Sequence, residues 1–206
     1  NEKFAFYSQY PKFSILDPET TYSLPEYQVA VGVADTFVHV MEQYLTTTGQ
    51  SPLMDRWAEG VLQTPVDISP KLIGVEPDYD SRATFMLSAT MALNGFIAMG
   101  VSQDWATHQI GHELTALEGI THGHTLAIVL PSLMSVLRDQ KQAKILQSGQ
   151  RVWGIREGSE QERVDGAVKA TEHYVRSPRL TTRPTDLNVA AQTILETQPR
   201  LTCPGR

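Results

Sequence analysis

The chain has 206 residues, 41% of them hydrophobic and 19% charged, and its 17 basic and 23 acidic side chains leave a formal charge of -6. That size and balance suit a packed globular protein and argue against disorder, while the lack of any basic block removes the electrostatic footprint that nucleic acid or an anionic membrane surface requires. The lone cysteine, Cys203, forbids an intrachain disulfide or a cysteine-based zinc cluster, and no apolar run approaches the ~20 residues of a membrane span or the core of a signal peptide, so a cytoplasmic protein is expected.

Residues 3–16 include Phe4, Phe6, Tyr7, Tyr10, Phe13 and Ile15, interrupted by Pro11, which suits one or two short strands better than a helix. Asp17-Pro18 and Leu24-Pro25 then mark a turn-rich connection, because a residue before proline is pushed out of the helical region. From Pro25 the character changes: Val29, Val33, Phe37, Val40, Met41 and Leu45 recur at helical spacing, which predicts a long buried helix ending at the polar run 46–49. Further helices are expected over 53–62, 80–99, 103–117, 124–137, 140–153, 159–175 and 186–196. Turns are expected at Thr64-Pro65, 67–70, Gly100 and Gly119, and neither repeats nor low-complexity sequence occur.

Histidine placement carries the chemical signal, since four of the six histidines fall between His108 and His124 and a fifth, His39, sits in the first long helix. Asp35 and His39 are four apart, one helical turn, so a carboxylate and an imidazole project from the same face. His108 and His112 repeat that spacing on a later helix, and His122 and His124 follow Gly119, where a loop can return a further ligand. Such pairs also occur as ordinary surface ion pairs or caps. Against that reading, Asp35 lies within the apolar stretch 29–40, where an unpartnered carboxylate costs several kcal/mol by desolvation, of order ~5, and calls for a compensating cation. The zinc-protease pattern is absent because Glu113 follows the second histidine rather than the first, and neither a Gly-x-Ser-x-Gly elbow nor a phosphate-binding loop is present.

Two segments, SILDPETTYSLPEYQVAVGVADTFVHVME over residues 14–42 and WATHQIGHELTALEGITHGHT over 105–125, resemble the signatures of the iron-containing, or group III, alcohol dehydrogenases. Asp17, Pro25, Gly32, Asp35 and Glu42 stand in family register in the first, and His108, Gly111, His112, His122 and Gly123 in the second. DWATHQIGHELTA and TLAIVLPSL look most like the butanol dehydrogenase branch of NADPH-dependent aldehyde reductases. The resemblance runs from about residue 3 to at least Asn188, weakens after Arg176, and does not include the tail TQPRLTCPGR.

The resemblance implies a mostly α fold. Residues 25–206 would form the all-helical metal-binding domain of the dehydroquinate synthase-like, iron alcohol dehydrogenase fold. Residues 1–24 would be a remnant strand and linker from an amino-terminal α/β nucleotide-binding domain, whose glycine-rich pyrophosphate turn does not occur here. Carried over position by position, the metal ligands fall on Asp35, His39, His108 and His122. His112 takes the place beside nicotinamide and substrate, and Thr21 and Leu24 match cofactor contacts more weakly. A hard oxygen with three imidazole nitrogens suits Fe2+ or Zn2+. The implied reaction passes a hydride between NADP(H) or NAD(H) and a small alcohol or aldehyde, with His112 relaying the proton, or orienting a ligand instead. A homodimer without nucleic-acid or membrane partners is expected. Two other readings stand beside this one: an inactive fragment or binding module lacking the cofactor site, and a glycerol dehydrogenase-like or dehydroquinate synthase-like relative on the same metal scaffold.

Overall fold

A computed structural model describes residues 11–176 and Leu180. Seven α-helices carry them: α1 (Glu26–Tyr44), α2 (Pro52–Ile68), α3 (Tyr79–Leu93), α4 (Ala106–Glu118), α5 (His122–Val136), α6 (Arg138–Arg151) and α7 (Glu160–Arg176). Short 3-10 turns at Pro18–Thr21 and Ser69–Lys71 complete the described elements. The expected helical fold is observed. Residues 11–16 of the expected opening strand are irregular, and the remainder of that segment, like the helix expected over 186–196, lies outside the described residues.

Two expectations about helix ends fail for physical reasons. Instead of running to Met99, α3 stops at Leu93, because the Asn94 side chain accepts the Phe96 N–H at 3.0 Å and Gly95 turns the backbone left-handed at φ 88°. Conversely, α2 runs through the Thr64-Pro65 signal to Ile68. Pro65 is buried within it, so tertiary packing outweighs the local cost of proline in a helix.

The core is organised by α1 and α5. Thirteen of the nineteen residues of α1 are buried, among them Val33, Phe37, Val38 and Val40 at 0% exposure, because α2, α3, α4 and α5 all pack against it. Burying a side chain such as Phe37 contributes about 1.5–3 kcal/mol. Its ring also meets Tyr174 and Trp153 at centroid separations of 4.9 and 5.8 Å, linking α1 to α7 and to the turn after α6. In turn α5 touches α1, α4, α6 and α7 and fills its interior with Leu126, Ala127, Leu130 and Met134.

Gly123 fixes how closely α5 crosses α1. A β-carbon there would sit 2.3 Å from the Val31 carbonyl oxygen, so only glycine permits the approach. The crossing therefore holds the first turn of α5, with His122 and His124, against the middle of α1.

Candidate metal centre

Three helices deliver the histidines and the carboxylate that the sequence singles out. Asp35 and His39 project from one face of α1, with His39 Nε2 3.1 Å from Asp35 Oδ1. The first turn of α4 brings His108, whose Nε2 stands 3.7 Å from the same oxygen and 3.3 Å from His39 Nε2. From the start of α5 comes His122; Asp35, His108 and His122 each offer a ligating atom within 4.8 Å of the other two. The His108 and His122 rings are 5.2 Å apart between centroids.

His112, one turn after His108, is exposed and lies 4.8 Å from His122 and 6.0 Å from His108 between ring centroids. It borders the cluster on its open side. Thr21 and Leu24 lie elsewhere, in the approach to α1, where Leu24 lines a surface hollow with Tyr22, Glu26, Gly74 and Arg82. The rise of α1 alone separates that approach from Asp35 by roughly 14 Å.

Donor spacing tests whether a cation fits. Zinc–nitrogen and zinc–oxygen bonds near 2.0–2.1 Å place tetrahedral ligands about 3.3 Å apart. The observed separations of 3.1, 3.3 and 3.7 Å bracket that value. Partnering gives a second test, because Asp35 Oδ1, the oxygen on which His39 Nε2 and His108 Nε2 converge, is buried without a well-formed hydrogen bond. Buried polar atoms in a folded protein nearly always find one, so a carboxylate oxygen left open between converging imidazoles suits a cation. The donor set fits a divalent transition metal.

Electrostatics point the same way. Burial works against the charged carboxylate of Asp35, yet the adjoining His108 and His39 outweigh it and hold the group well below the usual carboxylate range. Burial also draws His108 down, but Asp35 and Glu42 overcome that and push it up to about 9. His122 is lowered to about 4 by burial, with Asp35 opposing and the other histidines adding repulsion. An ionised carboxylate beside a neutral imidazole is the state that ligation needs.

The sequence reading gave Glu42 no role. It is 4% exposed, Oε1 accepts the His108 backbone N–H at 3.1 Å, and Oε2 pairs with His108 Nδ1. A signal was available: Glu42 follows His39 by three positions and Asp35 by seven, which puts all three on one face of α1. Trp105 was likewise unassigned, and it stands edge-on to both His39 and His108 at 5.8 and 5.4 Å, walling that side of the cluster. His124 is buried, with Nδ1 3.0 Å from the Tyr27 hydroxyl, and so ties α5 to α1.

An all-helical fold presenting one carboxylate and three converging imidazoles at the junction of three helices defines a metal-binding helical domain. The chain belongs to the Fe-containing alcohol dehydrogenase family, whose C-terminal domain matches residues 29–198. The NADPH-dependent aldehyde reductase YqhD of Escherichia coli is 52% identical over 175 residues, 84% of this chain and 45% of that protein. Its substrate- and cofactor-free structure superposes with a TM-score of 0.90 at 47% identity, covering 93% of this chain and 50% of the other. NADH-dependent butanol dehydrogenase B of Clostridium acetobutylicum is 37% identical over 80% of this chain and 43% of its own length. A butanol dehydrogenase A structure from Thermotoga maritima matches with a TM-score of 0.84 at 31% identity, over 91% of this chain and 47% of that one. The chain thus spans about half the length of these relatives.

Proposed function

We propose that the chain is the metal-binding part of an NAD(P)H-dependent alcohol dehydrogenase or aldehyde reductase acting on small alcohols and aldehydes. The observation that carries this is the convergence of His39, His108 and His122 about a buried, unpartnered Asp35 oxygen, in a chain 52% identical to an NADPH-dependent aldehyde reductase. Asp35, His39, His108 and His122 hold the ion, ferrous or zinc. When bound, the metal polarises the substrate oxygen as a Lewis acid, and the nicotinamide supplies or takes the hydride.

Aldehyde reduction adds one hydride to the carbonyl carbon and one proton to its oxygen. His112 as imidazolium supplies that proton and is left as neutral imidazole, and in alcohol oxidation the neutral ring accepts the proton back. Its exposure lets it exchange with solvent, and its 4.8 Å ring separation from His122 sets it beside the ligands. Trp105 and the apolar body of α5 keep water from the back of the cluster. Thr21 and Leu24 meet the nicotinamide cofactor from the approach to α1, and residues 1–24 belong with the nucleotide-binding half while 25–206 form the helical domain. A cytoplasmic homodimer completes the reading.

Metal analysis with turnover tests it. His108→Ala and His122→Ala should each lose the metal. His112→Ala should retain the metal, while turnover in an enzyme containing the nucleotide-binding half falls by about 10²–10⁴. Full metal occupancy in His108→Ala would overturn the ligand assignment.

A further inference from the structure

Resting on the metal reading above, we propose that Glu42 is a positioning residue: its carboxylate fixes the tautomer and orientation of His108, so that Nε2 is the nitrogen presented to the ion. Both oxygens are committed to one residue, Oε1 to the His108 backbone N–H at 3.1 Å and Oε2 to the ring at Nδ1.

The backbone contact has a structural cause. The N-cap of α4, Trp105, provides no side-chain cap, so first-turn N–H groups need acceptors from elsewhere. Asp104 Oδ1 takes the Ala106 N–H at 3.1 Å, and Glu42 takes that of His108 across the helix pair. Their backbones are joined too, since the Asp104 N–H donates to the Glu42 carbonyl at 3.0 Å. Lys141 then clamps this corner, reaching Asp104 Oδ2 at 2.6 Å and the Leu45 carbonyl at 2.7 Å. The end of α1 and the start of α4 are therefore joined at several points, which holds the Glu42 carboxylate beside His108.

The ring contact has a chemical consequence. An ionised carboxylate only accepts, so His108 Nδ1 must carry a proton, and in neutral imidazole that leaves the Nε2 lone pair bare. Nε2 is the atom 3.7 Å from Asp35 Oδ1 and 3.3 Å from His39 Nε2. A carboxylate behind a ligating histidine also raises its basicity.

Glu42→Gln separates the two roles. The glutamine carbonyl oxygen still caps the His108 N–H, but its amide group now faces Nδ1 and donates there. That moves the ring proton to Nε2 and blocks the ligating lone pair. Zn2+ affinity, measured on the full chain against a chromophoric chelator, should fall by about 10–100-fold in Glu42→Gln, while the zinc-free variant unfolds at nearly the wild-type temperature. The cobalt-substituted variant should show an altered ligand-field spectrum. Unchanged zinc affinity, or a loss only in proportion to lost thermal stability, would overturn the assignment. Should Glu42→Gln not fold, long-range 1H–15N correlation on the zinc-loaded wild type decides: a proton on Nδ1 of His108 supports the proposal and one on Nε2 sinks it. A wild-type chain that binds no zinc or iron would instead remove the metal reading itself.

Discussion

Two clusters of buried polar side chains touch α1, and they are finished differently. At the end of α1, Tyr44 donates to Glu59 Oε1 at 2.9 Å, and α6 supplies the rest of a network that spans to α2. Lys144, 2% exposed, meets Asp55 at 2.6 Å, while Gln147 bridges Asp55 and Glu59 at 2.9 and 2.8 Å and Arg151 reaches Glu59 at 2.9 Å. Every charge there closes on a partner of opposite sign, and the Lys144 ammonium also lies 4.5 Å from the Tyr44 ring centroid. Around Asp35 the donors converge but do not satisfy one another, and Asp35 Oδ1 is left buried without a well-formed hydrogen bond. A closed set is there to hold helices together, whereas an open set waits for a ligand.

The largest effect expected from this contrast is in the closed set. Lys144→Met strands the Asp55 carboxylate in the interior and should cost about 3–5 kcal/mol in unfolding free energy. Adding Asp55→Leu should recover most of that loss, because an apolar pair of similar volume replaces the ion pair without a leftover charge. Neither change should move Zn2+ affinity, and denaturant melts paired with zinc titration check both halves. In the open set the pattern inverts: His122→Leu removes a buried nitrogen that has no partner, so the zinc-free protein should unfold at or above the wild-type midpoint. The same variant should lose more than ~100-fold in Zn2+ affinity, beyond what outer partners usually contribute. A zinc-free His122→Leu protein as unstable as Lys144→Met would erase the distinction between the two clusters.

How far the sequence revealed each cluster follows from the distance over which its geometry is set. The pairs Asp35 with His39 and His108 with His112 were legible from spacing alone, since one helical turn is a local fact. That a ligand returns after Gly119 was readable from the turn, but that it is His122 rather than His124 depends on how α5 crosses α1, and only the resemblance over 105–125 indicated it. Glu42 shares a face of α1 with Asp35 and His39, but its partner is 66 positions away, so spacing alone does not say which ring it meets. Asp55, Glu59, Lys144, Gln147 and Arg151 had no assigned role for the same reason, although Asp55, Glu59 and Lys144 are buried and side-chain bonds tie α2 to α6. Helix interiors were visible through apolar periodicity, while the ends of α2 and α3 were decided by the burial of Pro65 and by the Asn94-Gly95 turn.

Gly123→Ala sharpens the comparison because it acts on the scaffold that the open set depends on. Its new methyl group meets the Val31 carbonyl at 2.3 Å, so α5 must retreat from α1, at a cost of about 1–3 kcal/mol. As His122 moves with α5, stability and zinc affinity should fall together, a joint loss that thermal melts and titration detect. If affinity held while stability fell, the first turn of α5 would not be what places His122.

The smallest expected effect tests whether the closed network tolerates the loss of one member. Tyr44 is buried, and burial together with Glu59 pushes its phenol above the ordinary range, so it stays a neutral donor. In Tyr44→Phe the Glu59 carboxylate keeps Gln147 and Arg151, so no charge is stranded. The loss is therefore one hydrogen bond, about 0.5–1.5 kcal/mol by chemical denaturation, with zinc binding unchanged. A cost as large as that of Lys144→Met would mean that Glu59 depends on Tyr44 alone, and the redundancy that sets this network apart from the cluster around Asp35 would be lost.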